Sequence, residues 1–433
     1  MPGRVARTLA PDMLTRLGRR LGRGSVLITG TNGKTTTARL LTSILARAGL
    51  ITIHNRAGAN LPAGIATALL THSTVGGDVR GDIGVFEVDE ATLPLVAEPL
   101  RPRAVMLGNL FRDQLDRYGE IDLVADRWRA ALATLGEGAI VLYNADDPLV
   151  ADVGRMQTGV RTFGIDAPHL RQGATLEHAA DARYCYRCGI PYRYAVVYLG
   201  HLGVYQCDRC GTARPPLTVA AEDVHLDGMA GSTFTLSTPG RRVTLRTVLP
   251  GLYNVYNVLA AASTALALGM PVEVIADAVR DFVPAFGRGE RIMIDDHPVT
   301  VMLAKNPAGF NEVLRTILAN GRSIVVLIAI NDLTADGRDI SWLWDVDFEM
   351  LRGSARAAVV TGLRAADMAV RLKYAGLGEG VVRTEEDEER AMHLGLEHLE
   401  ANEPLYVLPT YTAMLRIRQI LARWGHVKAF WED

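Results

Sequence analysis

Ser25-Val26-Leu27-Ile28-Thr29-Gly30-Thr31-Asn32-Gly33-Lys34-Thr35-Thr36 runs from an apolar, β-branched stretch into a glycine loop and then into a helical pattern that ends at Gly49. Strand, loop and helix in that order open a parallel α/β unit. The glycines let backbone N–H groups close on phosphate oxygens, and the helix N-terminus adds partial positive charge. In such a loop Lys34 reaches the β- and γ-phosphates and the Thr35 hydroxyl coordinates Mg²⁺. The strict pattern wants a glycine where Ile28 stands, so this is a variant phosphate loop.

Outward from the loop, buried strands are expected at 82–88, 104–107 and 139–143, separated by helical stretches, which is the alternation of a doubly wound sheet. The pattern breaks near Asp181. Residues 184–216 are rich in Cys, Tyr, Gly and Arg and read as a small inserted module. Threonine-rich β segments follow at 232–237 and 242–248, then a turn at Pro250-Gly251 and a long helix over 254–268. A second α/β series begins near Pro298, with strands expected at 299–304, 323–329, 357–361 and 405–408. Helices are expected at 311–319, 365–374, 388–399 and 412–424. The segment 286–290 reads as an interdomain hinge.

A chain of 433 residues exceeds the usual size of one core, so two or three domains are expected. Its net charge of -2 gives no global attraction to nucleic acid. No apolar run reaches the roughly 18 residues needed to span a bilayer. Residues 1–23 alternate arginine with leucine and lack a signal peptide's apolar stretch and cleavage site. They read as an amphipathic lead-in helix, with membrane-surface contact as the minority alternative. The expected location is cytoplasmic, where disulfides are disfavoured and metal ligation is the better use of cysteine. Cys185-x2-Cys188 and Cys207-x2-Cys210, 18 residues apart, have the spacing of a four-thiolate zinc ribbon. Each pair is followed by glycine (Gly189, Gly211), and four thiolates fill a tetrahedral shell, so the Zn²⁺ would be structural.

The loop Thr29–Thr36 resembles the ATP loop of the Mur ligases and folylpolyglutamate synthetases. Other segments fall in that family's order. Glu87 resembles the glutamate that holds Mg²⁺ with the loop threonine, and Asn144-Ala145-Asp146-Asp147-Pro148 the asparagine-aspartate turn. Pro250-Gly251-Leu252-Tyr253-Asn254-Val255-Tyr256-Asn257 resembles the helix start that contacts adenine, with Tyr253 in place of histidine. Phe286-Gly287-Arg288-Gly289-Glu290-Arg291 matches the element before the C-terminal domain. Two departures narrow the family. Gln114 stands where a metal-binding histidine is usual, and no lysine exists between Lys34 and Lys305 to supply the carbamylated lysine of most Mur ligases. With the four cysteines, and with 303–311, 331–345 and 408–414, the chain resembles the MurT family of lipid II isoglutaminyl synthase subunits.

The resemblance implies an α/β protein with a Mur-ligase-like central ATPase domain (1–295, zinc ribbon inserted at about 181–216) and a Rossmann-like C-terminal domain (296–433). It implies ATP, Mg²⁺ and structural Zn²⁺ as cofactors. The implied nucleotide-binding residues are Gly30, Thr31, Asn32, Gly33, Lys34, Thr35, Thr36, Asn254, Asn257, Arg288 and Lys305. Mg²⁺ would lie on Thr35 and Glu87, and zinc on Cys185, Cys188, Cys207 and Cys210. The reaction implied is amidation of the α-carboxyl of D-glutamate in the lipid II stem peptide, through an acyl phosphate. Ammonia would come from a GatD-type class-I glutaminase in a heterodimer, with the lipid substrate at the inner face of the plasma membrane. An aspartate of the stretch 339–347 would complete the partner's Cys-His pair into a triad. Asp345 is favoured, with Asp339 and Asp347 as rivals. The alternative is an autonomous amino-acid ligase of the folylpolyglutamate kind.

Overall fold

In the computed structural model, residues 2–55, 58–113, 121–170, 176, 180–284 and 286–428 are described. All five residues of the strand Ser25–Thr29 (β1) are buried, as a strand covered on both faces requires. The following strands are Thr52–His54 (β2), Ile83–Glu87 (β3), Ala104–Leu107 (β4), Ile140–Asn144 (β5), Arg161–Ile165 (β6), Arg193–Leu199 (β7), Leu202–Gln206 (β8), Val219–Leu226 (β9), Ser232–Thr238 (β10) and Arg241–Thr247 (β11). Nine of them form one sheet in the order β11-β10-β9-β6-β5-β4-β1-β3-β2, parallel from β2 to β9 and antiparallel at β10 and β11. The remaining two, β7 and β8, make a separate antiparallel hairpin within the cysteine module.

Helices cover both faces. Pro2–Leu9 (α1), Met13–Gly18 (α2), Lys34–Arg47 (α3), Pro62–Thr71 (α4), Leu93–Leu100 (α5), Ile121–Ala133 (α6), Pro148–Gly154 (α7), Leu252–Ala267 (α8) and Val272–Arg280 (α9) belong to this half. One core joins α3, α8 and α9 to the sheet, and the other joins α2, α4, α5, α6 and α7 to its opposite face. Because β1 lies between β3 and β4, the chain crosses over it, and the loops after β1 and β4 meet at the carboxyl ends of their strands. Open α/β sheets bind ligands at such a reversal of strand order.

A second sheet contains Arg288–Ile294 (β12), His297–Met302 (β13), Ile324–Ala329 (β14), Ala355–Thr361 (β15), Val382–Thr384 (β16) and Leu405–Pro409 (β17), ordered β12-β13-β17-β14-β15-β16. Only β12 is antiparallel to its neighbour. Pro307–Leu318 (α10), Ala365–Tyr374 (α11), Glu388–Glu397 (α12) and Tyr411–Arg423 (α13) pack around it. The expected division after Asp295 falls at the turn of the β12–β13 hairpin. The expected hinge 286–290 is only partly irregular: Gly287 and Gly289 adopt φ of 74° and 90°, but β12 already begins at Arg288, with a bulge that absorbs the glycine.

Candidate functional site

The phosphate loop is shaped by close approach. Gly33, at φ 85°, caps α3, and a Cβ there would lie 1.9 Å from Asn257 Oδ1. Gly30 sits against the loop after β4, where a Cβ would meet the Asn109 nitrogen at 2.9 Å. That second loop is laced to the first: the Thr31 N–H donates to the Asn109 carbonyl (2.8 Å), and the Asn32 N–H to Asn109 Oδ1 (2.9 Å). Asn254 and Asn257, one turn apart on α8, are joined by a 2.9 Å hydrogen bond, and the close approach of Asn257 to Gly33 places the α8 start beside the glycine loop.

Thr35 and Glu87 do come together: the Thr35 hydroxyl donates to Glu87 Oε2 at 2.9 Å. Asn55 fixes Glu87 through its backbone N–H and C=O. A hydroxyl and a carboxylate side by side at a phosphate loop suit a hard divalent cation. Lys34 is buried and folds back onto its own loop. Its Nζ donates to the Gly30 carbonyl (2.5 Å), the Thr31 carbonyl (3.2 Å) and Glu90 Oε1 (2.9 Å). Thr36 is buried in the first turn of α3.

Across a cleft of about 1680 Å³ stand Arg288, Arg291, Lys305 and Tyr411, contributed by β12, the loop after β13 and the start of α13. Lys305 forms an ion pair with Asp113 from the loop after β4. Burial pushes the Asp113 carboxyl above its ordinary range, and Lys305 opposes that push. On Lys305 burial works against the charge, but Asp113 and Glu90 outweigh it and hold the ammonium on. Asp113 Oδ1 is buried and accepts no hydrogen bond among the described residues, so one carboxylate oxygen remains for a cation or substrate donor. Burial lowers the Arg288 guanidinium below its usual range, with Glu87 opposing the loss of charge. Asn32 and Asn306 bridge the two halves, with Asn306 Nδ2 donating to Asn32 Oδ1 at 2.9 Å. The sequence reading missed Asp113 and Glu90. Neither spacing nor residue type marked them as partners of the two site lysines. Gln114 lies outside the described residues.

The four cysteine sulfurs all lie within 4.8 Å of one another. Cys185 and Cys210 are 3.5 Å apart and Cys188 and Cys207 3.3 Å, too far for S–S bonds and near the roughly 3.8 Å expected between thiolates around a tetrahedral zinc. The donor set and its closure fit a structural metal.

Asp345 ends a 3-10 turn (Ser341–Asp345) and is half-exposed, with Oδ2 3.8 Å from a terminal nitrogen of Arg112. Its rivals are engaged locally. Asp347 exchanges hydrogen bonds with Asn311 (2.9 Å each), and Asp339 accepts from the Ser341 N–H at 2.8 Å. Trp342 packs toward Phe310, whereas Trp344 is exposed beside Tyr374. Among the described residues no helix is long and apolar enough to cross a membrane.

Residues 28–205 match the model of the Mur ligase middle domain, and 303–414 that of the MurT ligase C-terminal region. Among curated relatives, the MurT subunit of lipid II isoglutaminyl synthase (glutamine-hydrolyzing) from Staphylococcus aureus strain COL is 33% identical over 377 residues, covering 87% of this chain and 82% of that protein. The subunit of that name from Streptococcus pneumoniae R6 is 32% identical over 425 residues, covering 98% and 92%. Among solved structures, a pseudomurein peptide ligase type C from Methanothermus fervidus superposes with TM-score 0.69 at 24% identity, covering 92% of this chain and 78% of that one. MurF from Thermotoga maritima in complex with ADP superposes with TM-score 0.66 at 14% identity, covering 95% and 82%. These structures share the fold. The sequence matches go further: this chain belongs to the MurT family and is an amide-forming, Mur-type ATP-dependent ligase.

Proposed function

We propose that the chain is the ligase subunit of a two-subunit amidotransferase that converts D-glutamate in the lipid II stem peptide to D-isoglutamine, using ammonia from a GatD-type class-I glutaminase. The observation that carries this reading is one cleft with a lysine and a candidate Mg²⁺ seat on one wall and two basic side chains on the other. Lys34 and the Thr35–Glu87 pair stand on one wall, and Arg288 and the Lys305–Asp113 pair on the other. Two anions, ATP and a carboxylate, can be brought into contact only against such fixed charge.

The substrate carboxylate oxygen attacks the γ-phosphorus, the bond to the β-phosphate oxygen breaks, and ADP leaves. Ammonia then adds to the carbonyl of the acyl phosphate, the C–O bond breaks, and inorganic phosphate departs as the nitrogen loses a proton. Gly30, Thr31, Asn32, Gly33, Lys34, Thr35 and Thr36 would hold the phosphates, with Lys34 turning from Glu90 toward the β/γ oxygens. Asn254 and Asn257 would face the adenosine side. Arg288 and Lys305 would neutralise charge on the transferring phosphoryl. Mg²⁺, held by Thr35 and Glu87, would supply charge neutralisation at the phosphates.

We read the chain as a Mur-type ATPase domain with an inserted zinc ribbon at about 181–216, followed by a Rossmann-like C-terminal domain. Cys185, Cys188, Cys207 and Cys210 would hold the zinc, with no position left for chemistry. Asp345, half-exposed where Asp339 and Asp347 are engaged locally, is our choice for orienting the partner's histidine.

The test is incubation of the chain with ATP, lipid II and either ammonium or glutamine, with and without co-expressed glutaminase. The expected result is amidated product with ammonium alone, and with glutamine only when the glutaminase is present. Addition of an amino acid in place of ammonia would establish the autonomous ligase instead.

A further inference from the structure

The loop after β4 is pinned at three successive backbone N–H groups, each by a different side chain. Leu110 donates to Asp147 Oδ2 (2.9 Å), Phe111 to Thr31 Oγ1 (3.0 Å) and Arg112 to Asp181 Oδ2 (2.9 Å). Thr31 belongs to the phosphate loop itself. The other two anchors, Asp147 and Asp181, come from different segments and are joined by one residue. His201, fully buried, lies at the turn of the β7–β8 hairpin. Its Nδ1 accepts from the Asp181 N–H at 3.4 Å, which leaves the ring proton on Nε2, 3.3 Å from Asp147 Oδ2. The imidazole also lies against Phe111, with ring centroids 4.4 Å apart. The neighbouring Gly200 has φ 57°, and a Cβ there would meet Phe111 at 2.8 Å. The cysteines occupy the opposite, open end of the hairpin, so the module meets the loop through this turn and through Asp181 at its start.

We propose that His201 is a positioning residue for the nucleotide site, acting through Asp147 and Asp181 on the backbone of Leu110 and Arg112. The segment it fixes presents Asn109 to Asn32 and Asp113 to Lys305. The cysteine module is then a buttress of the phosphate loop. A second, parallel strut supports this assignment. Asp146 takes Arg214 of the module (3.0 Å) on one oxygen and the Tyr256 hydroxyl of α8 (2.8 Å) on the other, joining the module to the helix that carries Asn254 and Asn257. Adjacent aspartates thus connect one module to both sides of the glycine loop.

This inference rests on the reading of that loop as an ATP site, so the experiment carries Lys34→Ala as its reference. ATP dissociation constants are measured by titration, normalised to the binding-competent fraction, on the chain with its glutaminase partner. His201→Phe keeps the ring and loses both hydrogen bonds, whereas His201→Gln keeps a donor and an acceptor. Loss of the bridge is expected to weaken ATP about tenfold in His201→Phe, with His201→Gln within about threefold of the parent. A merely structural role would lower the melting temperature and competent fraction but leave the dissociation constant of folded molecules unchanged, and that result overturns the proposal. So does a Gln variant no better than Phe. If His201→Phe fails to fold, Phe111→Leu tests the same contact from the loop side, and unchanged ATP affinity there also overturns it. Normal ATP binding by Lys34→Ala would instead remove the nucleotide-site reading beneath it.

Discussion

Lys34→Met, alone and combined with Glu90→Gln, separates the lysine's role in the fold from its role in the reaction. The Lys34–Glu90 pair is 2.9 Å apart with side chains only 8% and 10% exposed. At that distance and an effective dielectric of about 20, the attraction is about 6 kcal/mol before desolvation is charged against it. Removing one member of a buried pair leaves the other uncompensated and costs about 3–5 kcal/mol. Lys34→Met is therefore expected to lower stability by about 3 kcal/mol, and adding Glu90→Gln to recover most of that by removing the stranded charge. Amidation behaves differently. On the role proposed for Lys34, both variants lack the cation for the transferring phosphoryl and should lose a factor of about 10² or more in rate. The assays are denaturant unfolding and single-turnover amidation with ammonium. A double variant that regains activity together with stability would show that the lysine serves the fold alone. A double variant no more stable than the single would refute the uncompensated-charge reasoning.

Freshly purified protein is expected to contain about one zinc per chain by metal analysis, with Cys185→Ser lowering the melting temperature and the metal content together. Asp345→Asn, assayed with the proposed glutaminase partner, should lower glutamine-driven amidation by about 10²–10⁴-fold and leave ammonium-driven amidation near the parent rate. Equal loss with both donors would place Asp345 in the ligase site or the fold. Lys305→Met should destabilise in a pH-dependent way. Without the ammonium, burial raises Asp113 further above 3.8, so the charged carboxylate is penalised at neutral pH and protonation relieves it. The melting difference from the parent is expected to narrow as pH falls toward 4, and a widening gap would contradict it.

The signals that survived from sequence to structure were local ones. The run 25–29 is β-branched and apolar because β1 is buried on both faces, and the glycine loop announced itself because two of its glycines face backbone or side chain too closely for a Cβ. Strands of the second sheet at 324–329 and 405–409 were legible for the same reason as β1. By contrast β2, β6, β9, β12 and β16 were not named. β2 has only three residues, and β12 carries alternating polar residues behind a Gly-Arg-Gly segment that reads as a loop. The inserted module was recognised by its cysteines, but its hairpin was not. The site pairings Lys34–Glu90 and Lys305–Asp113 span 56 and 192 residues, and no periodicity records a contact at that separation.

The Asn32–Asn306 bridge bears on how such proteins can be recombined. Each amide serves the other: Asn306 Nδ2 donates to Asn32 Oδ1 at 2.9 Å, while Asn32 Nδ2 lies 3.4 Å from Asn306 Oδ1. Asn306 is spoken for on its other side as well, since Oδ1 accepts the Gly309 N–H that begins α10. An aspartate at either position would set carboxylate against carbonyl, and an apolar residue would strand both dipoles. A chimera that joins the first half of this chain to the second half of a relative therefore inherits a two-letter compatibility code at positions 32 and 306. Grafts that carry both amides should keep this bridge, and grafts that break the pair should leave the remaining links, such as Lys305–Asp113, to hold the two walls of the cleft and should weaken ATP binding.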